Sequence, residues 1–212
     1  MVNNLEKLKM KKVIITLACM LTLGAIQAQE SKEGIINEYS VSMGNIKNYS
    51  SMSLFQDAST GYSMILGDIL VGYRFNNNMI TFAYEYGSTH TSALHLNEQM
   101  EQNSFLLGYR NYIALNDRID FFVGTSIGMS KLNNTFDYNE EHYKFKRWGI
   151  HADISTGLQY DISKTSYCGI NLKLPVTTAI FDNEIKLPLG LENNPVKRQI
   201  GYQITVTYGI KF

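Results

Sequence analysis

The last twelve residues constrain the fold more strongly than any other part of the chain. The segment GYQITVTYGIKF, residues 201–212, places a bulky apolar residue at every second position and small or polar residues between them. A period of two over this length indicates a β-strand with one apolar and one hydrated face. A soluble sandwich could hold such a chain end by packing. In a closed barrel in lipid the last strand must pair with a neighbour, because the N–H and C=O groups of an unpaired strand edge find no water there. We take the barrel as the working hypothesis.

The same alternation recurs upstream, with Leu70 as an exception. The upstream segments are residues 39–43, 67–75, 79–87, 104–113, 119–129, 148–160 and 167–174. With the terminal strand they make about eight, the smallest even number of strands that bacterial barrels use. The sequence therefore predicts an all-β fold, an eight-stranded antiparallel up-and-down transmembrane β-barrel.

The connections between these segments alternate between short and long. The short ones are 76–78, 116–117 and 161–164, and the long polar ones are 47–61, 88–103, 131–146 and 176–197. A soluble sandwich has no reason to separate the two classes, whereas outer-membrane barrels have short periplasmic turns and long external loops. All three prolines fall in or beside the last long connection, so we expect the strands to be free of proline.

Residues 1–28 have the order of a secretory signal peptide. Four lysines precede the apolar run 13–26, and Ala28 is the expected cleavage point. Translation from Met10 would give a more compact signal, and Cys19 raises lipidation as an alternative, although Thr16 stands where a lipobox has leucine. We expect residues 29–212 to form the mature barrel domain.

The composition of that domain excludes several classes of protein. Removing four lysines and Glu6 from 19 basic and 19 acidic residues leaves 15 basic and 18 acidic, which gives no electrostatic case for nucleic acid. Cys168 is then the one remaining cysteine, so no disulfide can form within residues 29–212. No later stretch approaches the ~18 apolar residues of a membrane helix, whereas the alternating faces of membrane strands average out in hydropathy.

The small and polar residues of each segment should face the lumen. Inward charges there are costly unless they are paired. Counting residues from the short turns predicts two ion-pair clusters, one of Asp68 and Glu85 with Arg110, the other of Asp153 with Lys173 and His151. We expect these clusters to obstruct the lumen.

The signal peptide, the eight segments, the loop rhythm and the terminal aromatic together resemble the small outer-membrane β-barrels of Gram-negative bacteria, the OmpA-barrel and OmpX-like group. The resemblance implies that Tyr208, Ile210 and Phe212 form a signal for the barrel-assembly machinery. It also implies periplasmic chaperones and outer-membrane lipid as partners. The location it implies is the Gram-negative outer membrane.

His90 and Ser92 are faintly similar to the His-x-Ser pair of lipid A deacylase barrels, in which a serine and a histidine cleave an ester. Because the pair falls in an expected external loop, we interpret the two residues as solvent-exposed polar residues and not as a catalytic pair. Alternating acidic residues within 137–145 lack the glycine and closing glutamate of a calcium loop, so we expect neither a metal nor a cofactor.

These observations predict a non-enzymatic barrel whose external loops bind host or surface partners or which strengthens the envelope. The alternatives are a lipid A-modifying enzyme and a small pore. The sequence names neither a ligand nor an oligomeric state.

Overall fold

The chain folds into a closed β-barrel. The structure is a computed structural model, and it describes residues 33–49, 61–93, 96–138, 141–182 and 198–212. Eight antiparallel strands pair in chain order, and the first pairs with the last. This confirms the predicted fold class. The expected signal peptide, residues 1–28, lies outside the described residues.

The strands are longer than the segments that predicted them. They are β1 Gly34–Tyr49, β2 Gly61–Phe75, β3 Asn78–Ala93, β4 Leu96–Ala114, β5 Ile119–Tyr138, β6 Glu141–Asp161, β7 Ser166–Asp182 and β8 Arg198–Lys211. Each of the first seven predicted segments lies inside one strand, and β8 ends one residue before the predicted end. Within the described ranges, no helix is long and apolar enough to span a bilayer.

The two faces of β8 decide which side of the wall is apolar. Tyr202, Ile204 and Val206 are 54 %, 53 % and 61 % exposed on the outside, whereas Gln203 and Thr205 are 2 % and 0 % exposed inside. This is the reverse of a soluble protein, in which the apolar face is buried. The wall therefore presents its apolar side chains outward.

The final residues are held by backbone hydrogen bonds on both sides. The Lys211 amide donates to the Thr165 carbonyl at 2.8 Å, and the Phe212 amide donates to the Ile35 carbonyl at 2.8 Å. The terminal strand is thus the seam at which the barrel closes.

The short connections lie at one end of the barrel, together with Gly34 and Phe212. Asn76 has a φ of 52°, in the left-handed region that tight two-residue hairpins require. In the next short connection the Asn116 side chain accepts hydrogen bonds from the amides of Arg118 and Ile119, both at 2.9 Å. These turns occupy the positions that the turn residues predicted.

Two of the predicted long loops are wrong. Most of 88–103 lies in β3 and β4, and most of 131–146 lies in β5 and β6. The backbone ladder runs from Ser88 opposite Glu101 to Ala93 opposite Leu96. Both faces of these extensions contain polar residues. The alternation of apolar and polar residues that identifies a lipid-facing strand is therefore lost there, although the backbone pairing continues.

Pro175 also departs from expectation, because it lies within β7. It faces the lumen and is opposite Asp153 of β6. The ladder between β7 and β8 runs to Lys173 opposite Gln203 and resumes at Val176 opposite Ile200. The missing N–H of proline is accommodated by this interruption of the pairing.

Candidate functional site

Among the buried polar side chains of the described lumen, two groups contain the inward charges that the sequence predicted. The lower cluster, nearer the short turns, consists of Glu38, Arg110 and Tyr167, and the central cluster consists of Asp68, Glu85, His151, Asp153 and Lys173. The two clusters draw their members from six strands, β1 to β4, β6 and β7. They therefore link parts of the wall that are not neighbours.

The lower cluster is centred on Glu38. One guanidinium nitrogen of Arg110 lies 2.7 Å from each carboxylate oxygen of Glu38. The Tyr167 hydroxyl donates a further hydrogen bond to this carboxylate. The Arg110 guanidinium also lies 4.9 Å from the ring centroid of Phe122, within the range of a cation–π contact. Opposite charges, a hydroxyl donor and an aromatic face thus stabilise one another away from bulk water.

Gly209 makes room for the ring of Tyr167. The two residues are opposite each other in the register of β7 and β8. A methyl group added to Gly209 would overlap the Tyr167 ring. The glycine therefore allows the ring to lie over the backbone of β8 while its hydroxyl reaches Glu38.

We expect Gly209→Ala to lower the free energy of unfolding by about 1–3 kcal/mol, because the displaced ring loses its packing. The measurement is a urea titration of the refolded protein in lipid vesicles, with the folded fraction read from gel mobility of unheated samples. Gly67→Ala is the matched control, because its added methyl group would have as its nearest neighbour the Ser40 carbonyl oxygen at 4.0 Å. Equal effects of the two changes would contradict the proposed role of Gly209.

Lys173 holds the central cluster together. Its ammonium group donates hydrogen bonds to Asp68 at 2.7 Å and to Glu85 at 2.8 Å. The hydroxyl of Ser40 donates a second bond to Asp68. All four residues are buried. The positive charge of the Lys173 ammonium group therefore offsets most of the cost of removing two carboxylates from water.

His151 and Asp153 complete this cluster through different neighbours. Nε2 of His151 lies 3.9 Å from a carboxylate oxygen of Glu85, and its Nδ1 lies 2.8 Å from the Thr177 hydroxyl. Asp153, the predicted ion-pair partner of Lys173, instead accepts a hydrogen bond from Ser126. The arrangement is that of a polar network inside a wall.

The ion pairs of the lumen differ from the sequence-based prediction. Arg110 binds Glu38 rather than Asp68 and Glu85, and those two carboxylates bind Lys173. The prediction compared residue counts from the turns, which ignores the stagger between strands that a closed barrel requires. Partners across the lumen therefore cannot be found from counts alone.

Sequence reasoning also missed a second layer of charge below the lower cluster. Arg74 lies 2.8 Å from Asp120, and its guanidinium lies 4.1 Å from the ring centroid of Tyr112. The alternation could have identified Glu38 as well, because it stands two residues before Ser40 on the same face of β1.

Apolar side chains fill the space around these polar groups. One apolar cluster consists of Ile36, Leu70, Met79, Ala83, Leu106, Tyr112, Phe122 and Tyr167, and a second, farther from the short turns, consists of Ile46, Met64, Leu66, Met100 and Leu132. Leu70 is therefore a regular inward residue and not an irregularity of its strand. A cavity of about 20 Å³ beside Lys173 and Asp153 has room for roughly one water molecule.

The sequence of the chain matches a family model over most of its length. The model described as the outer membrane protein beta-barrel domain matches residues 15–211. The chain belongs to this family. Membership places the barrel in the outer membrane of a Gram-negative bacterium. No curated protein sequence matches the chain significantly.

Two solved structures resemble this outer-membrane barrel. Neisserial surface protein A, from Neisseria, is 13 % identical, covers 84 % of this chain and 97 % of its own, and superposes with a TM-score of 0.57. Ail, the attachment invasion locus protein of Yersinia pestis, is 11 % identical, covers 85 % of this chain and 99 % of its own, and has a TM-score of 0.51. At these identities the likeness is one of fold.

The outer surface of the barrel has an apolar band bounded by aromatic residues. Along β6, the outward side chains from Tyr160 to Trp148 are apolar except for Thr156. At about 3.3 Å per residue and a tilt of about 40°, this segment spans ~30 Å, close to the thickness of a bilayer core. Tyr160 and Trp148 thus lie at the two interfaces, where aromatic residues are favoured.

The expected assembly-signal residues lie at the periplasmic end of β8. Phe212 is 41 % exposed, whereas Ile210, which the alternation places on the outward face, is buried at 3 % exposure opposite Asn37 of β1 and Ser166 of β7. Tyr208 lies opposite Cys168 of β7 and Tyr39 of β1.

His90 and Ser92 lie in β3 and not in an external loop. They are opposite Gln99 and Asn97 of β4 in the backbone register, and their side chains lie outside the described set. In the described part of the barrel, no group of three or more histidine, cysteine or acidic residues is placed to hold a metal ion.

Proposed function

We propose that this outer-membrane barrel is a non-enzymatic surface protein that uses an external sheet to contact molecules outside the cell. The observation that carries the proposal is the length of the strands on one side of the barrel. β4, β5 and β6 contain 19, 20 and 21 residues. About 9–11 residues suffice to cross the bilayer, so about a third or more of each strand lies beyond it.

The outward residues of β5 locate the point at which the strand leaves the lipid. Ile127 and Met129 are exposed apolar side chains, and Lys131, Asn133 and Thr135 follow on the same face. Lipid does not favour this polar continuation. The end of β5 therefore projects into the aqueous exterior.

The projecting strands remain paired as one sheet. Thr91 of β3 is opposite Glu98, Asn97 of β4 is opposite Asp137, and Thr135 of β5 is opposite Lys144. Continuous pairing gives β3 to β6 a more ordered contact surface than single loops would.

The packed lumen favours a membrane-spanning part of the barrel, here called the stem, that does not conduct ions. Conduction requires a hydrated path lined by polar groups. The two apolar clusters and the two polar clusters instead fill the inside of the barrel. This filling favours an anchor over a pore.

The external sheet can be shortened without disturbing the stem. In one variant an Asn-Gly turn replaces residues 91–98, and in a second it replaces 137–142, so that each hairpin closes at a lower paired position. Asn77→Gly, which places an Asn-Gly turn at the periplasmic end, is the matched control. We expect non-adherent bacteria that produce the unaltered chain to attach to cultured epithelial cells, and either shortened variant to attach several-fold less.

If bacteria that produce the unaltered chain attach no better than bacteria without the protein, the proposed surface contact is contradicted, and a structural role in the envelope becomes the better interpretation. Lipid A from the same strains, analysed by mass spectrometry, should keep its acyl chains. Loss of an acyl chain that disappears with Ser92→Ala would show a lipid-modifying enzyme.

A further inference from the structure

The outer faces of β5 and β6 change from apolar to basic at neighbouring positions of their register. Met129 of β5 and Trp148 of β6 are the last exposed apolar residues of the described outward faces. The next outward residues are Lys131 on β5 and Lys146 on β6, with Lys144 beyond. We call these three lysines the basic patch.

The register brings the basic patch together. Lys131 is opposite Trp148, and Lys146 is opposite Asn133. Residues two apart on one strand, and diagonal residues on neighbouring strands, are separated by about 7–8 Å, which long lysine side chains easily bridge. The Lys131 ammonium already lies 5.5 Å from the ring centroid of Trp148. Three ammonium groups can therefore converge on one anionic molecule beside the tryptophan.

The local charges leave the patch poorly compensated. Like charges at neighbouring positions of a sheet destabilise it. Among the described side chains, Lys144 and Lys146 form no ion pair. The nearest described carboxylate of this outer face is Glu101, which is diagonal to Lys131 and two strands from Lys146, so one acidic residue adjoins three lysines. The side chain of Asp137, farther along β5, lies outside the described set. An external anion would relieve this repulsion.

We propose that the basic patch binds the phosphate groups of lipid A, the phosphorylated glycolipid of the outer leaflet. The patch adjoins the apolar band, so a bound lipid would keep its acyl chains against Met129 and Ile150 while its phosphates meet the lysines. Lysine binds phosphate as a point charge, and basic residues near an anionic membrane surface are attracted to it. The site depends on the outer-membrane location and is independent of the proposed surface contact.

Trp148 offers a direct readout, because it is the single tryptophan of the chain. The experiment titrates the folded protein in zwitterionic detergent micelles with lipid A and follows Trp148 fluorescence. Parallel titrations use lipid A stripped of phosphate and inorganic phosphate alone. We expect a saturable change with lipid A, and at least tenfold weaker binding of both comparison molecules.

The variant Lys144→Gln/Lys146→Gln leaves Trp148 and Lys131 in place and should bind lipid A about 25-fold more weakly, at about fivefold for each lysine. The control, Arg118→Gln/Lys164→Gln, removes two exposed charges at the periplasmic end and should bind like the unaltered protein. Gel mobility of unheated samples checks that both variants fold. Equal affinity for the phosphorylated and stripped lipids, equal weakening in both variants, or inorganic phosphate binding as tightly as lipid A would overturn the proposal.

Discussion

Replacing Glu38 with leucine should destabilise the barrel by about 3–5 kcal/mol, because the substitution leaves the guanidinium of Arg110 buried without its carboxylate. Both hydrogen bonds from Arg110 to Glu38 are 2.7 Å long, and Glu38 also accepts the bond from Tyr167. A urea titration in lipid vesicles, followed by Trp148 fluorescence and gel mobility, measures the loss.

The double variant Glu38→Leu/Arg110→Met separates the cost of an unpaired charge from the cost of altered packing. An apolar pair of similar volume often replaces a buried ion pair with little loss. We expect the double variant to recover more than half of the stability lost in Glu38→Leu. If it is less stable than the single variant, the unpaired charge is not the cause. Asp161→Asn, at a more exposed ion pair with Lys211, should cost less than about 1 kcal/mol.

Replacing Lys173 with methionine should have an effect at least as large, about 3–5 kcal/mol or more, because two carboxylates lose one shared cation. Asp68 and Glu85 lie 2.7 and 2.8 Å from the Lys173 ammonium. Methionine keeps most of the length of the side chain, so the change removes charge more than volume. The same urea titration applies.

The rescue variant is Lys173→Met combined with Asp68→Asn and Glu85→Gln, which neutralises the whole group. We expect it to be more stable than Lys173→Met alone, although the number of hydrogen bonds falls. A triple variant no more stable than the single variant would show that Lys173 acts by packing. Each variant should be compared with Lys144→Gln, an exposed charge change for which we expect an effect within about 0.5 kcal/mol.

The fold was predictable because lipid imposes a regular pattern on the wall. Val206 must face lipid and Thr205 must face the lumen. The alternation along β8 therefore predicts both that the segment is a strand and which of its faces points outward. Where the strands leave the lipid, this constraint ends. Residues 96–103 and 131–138 remain paired, but water accepts either face, and their sequence resembles a loop.

The partners inside the lumen were less predictable because they depend on the closed shape. Identifying Asp68, Glu85 and Lys173 as inward residues requires only the strand period. Assigning Glu38 to Arg110 requires the stagger of the barrel, which brings β1 next to the middle of the chain across the lumen. Pro175 was unexpected for a similar reason, since its position is tolerated by a local break in the β7–β8 ladder.

The contacts of Glu38 have a consequence for how the molecule forms. They join residues 72 and 129 positions apart, and the bond between Lys173 and Asp68 spans 105. No short stretch of the polypeptide can satisfy these groups by itself, so they become favourable only when nearly the whole circumference exists. Acquisition of the native state should therefore be slow and all-or-none, as expected for topologies rich in distant contacts.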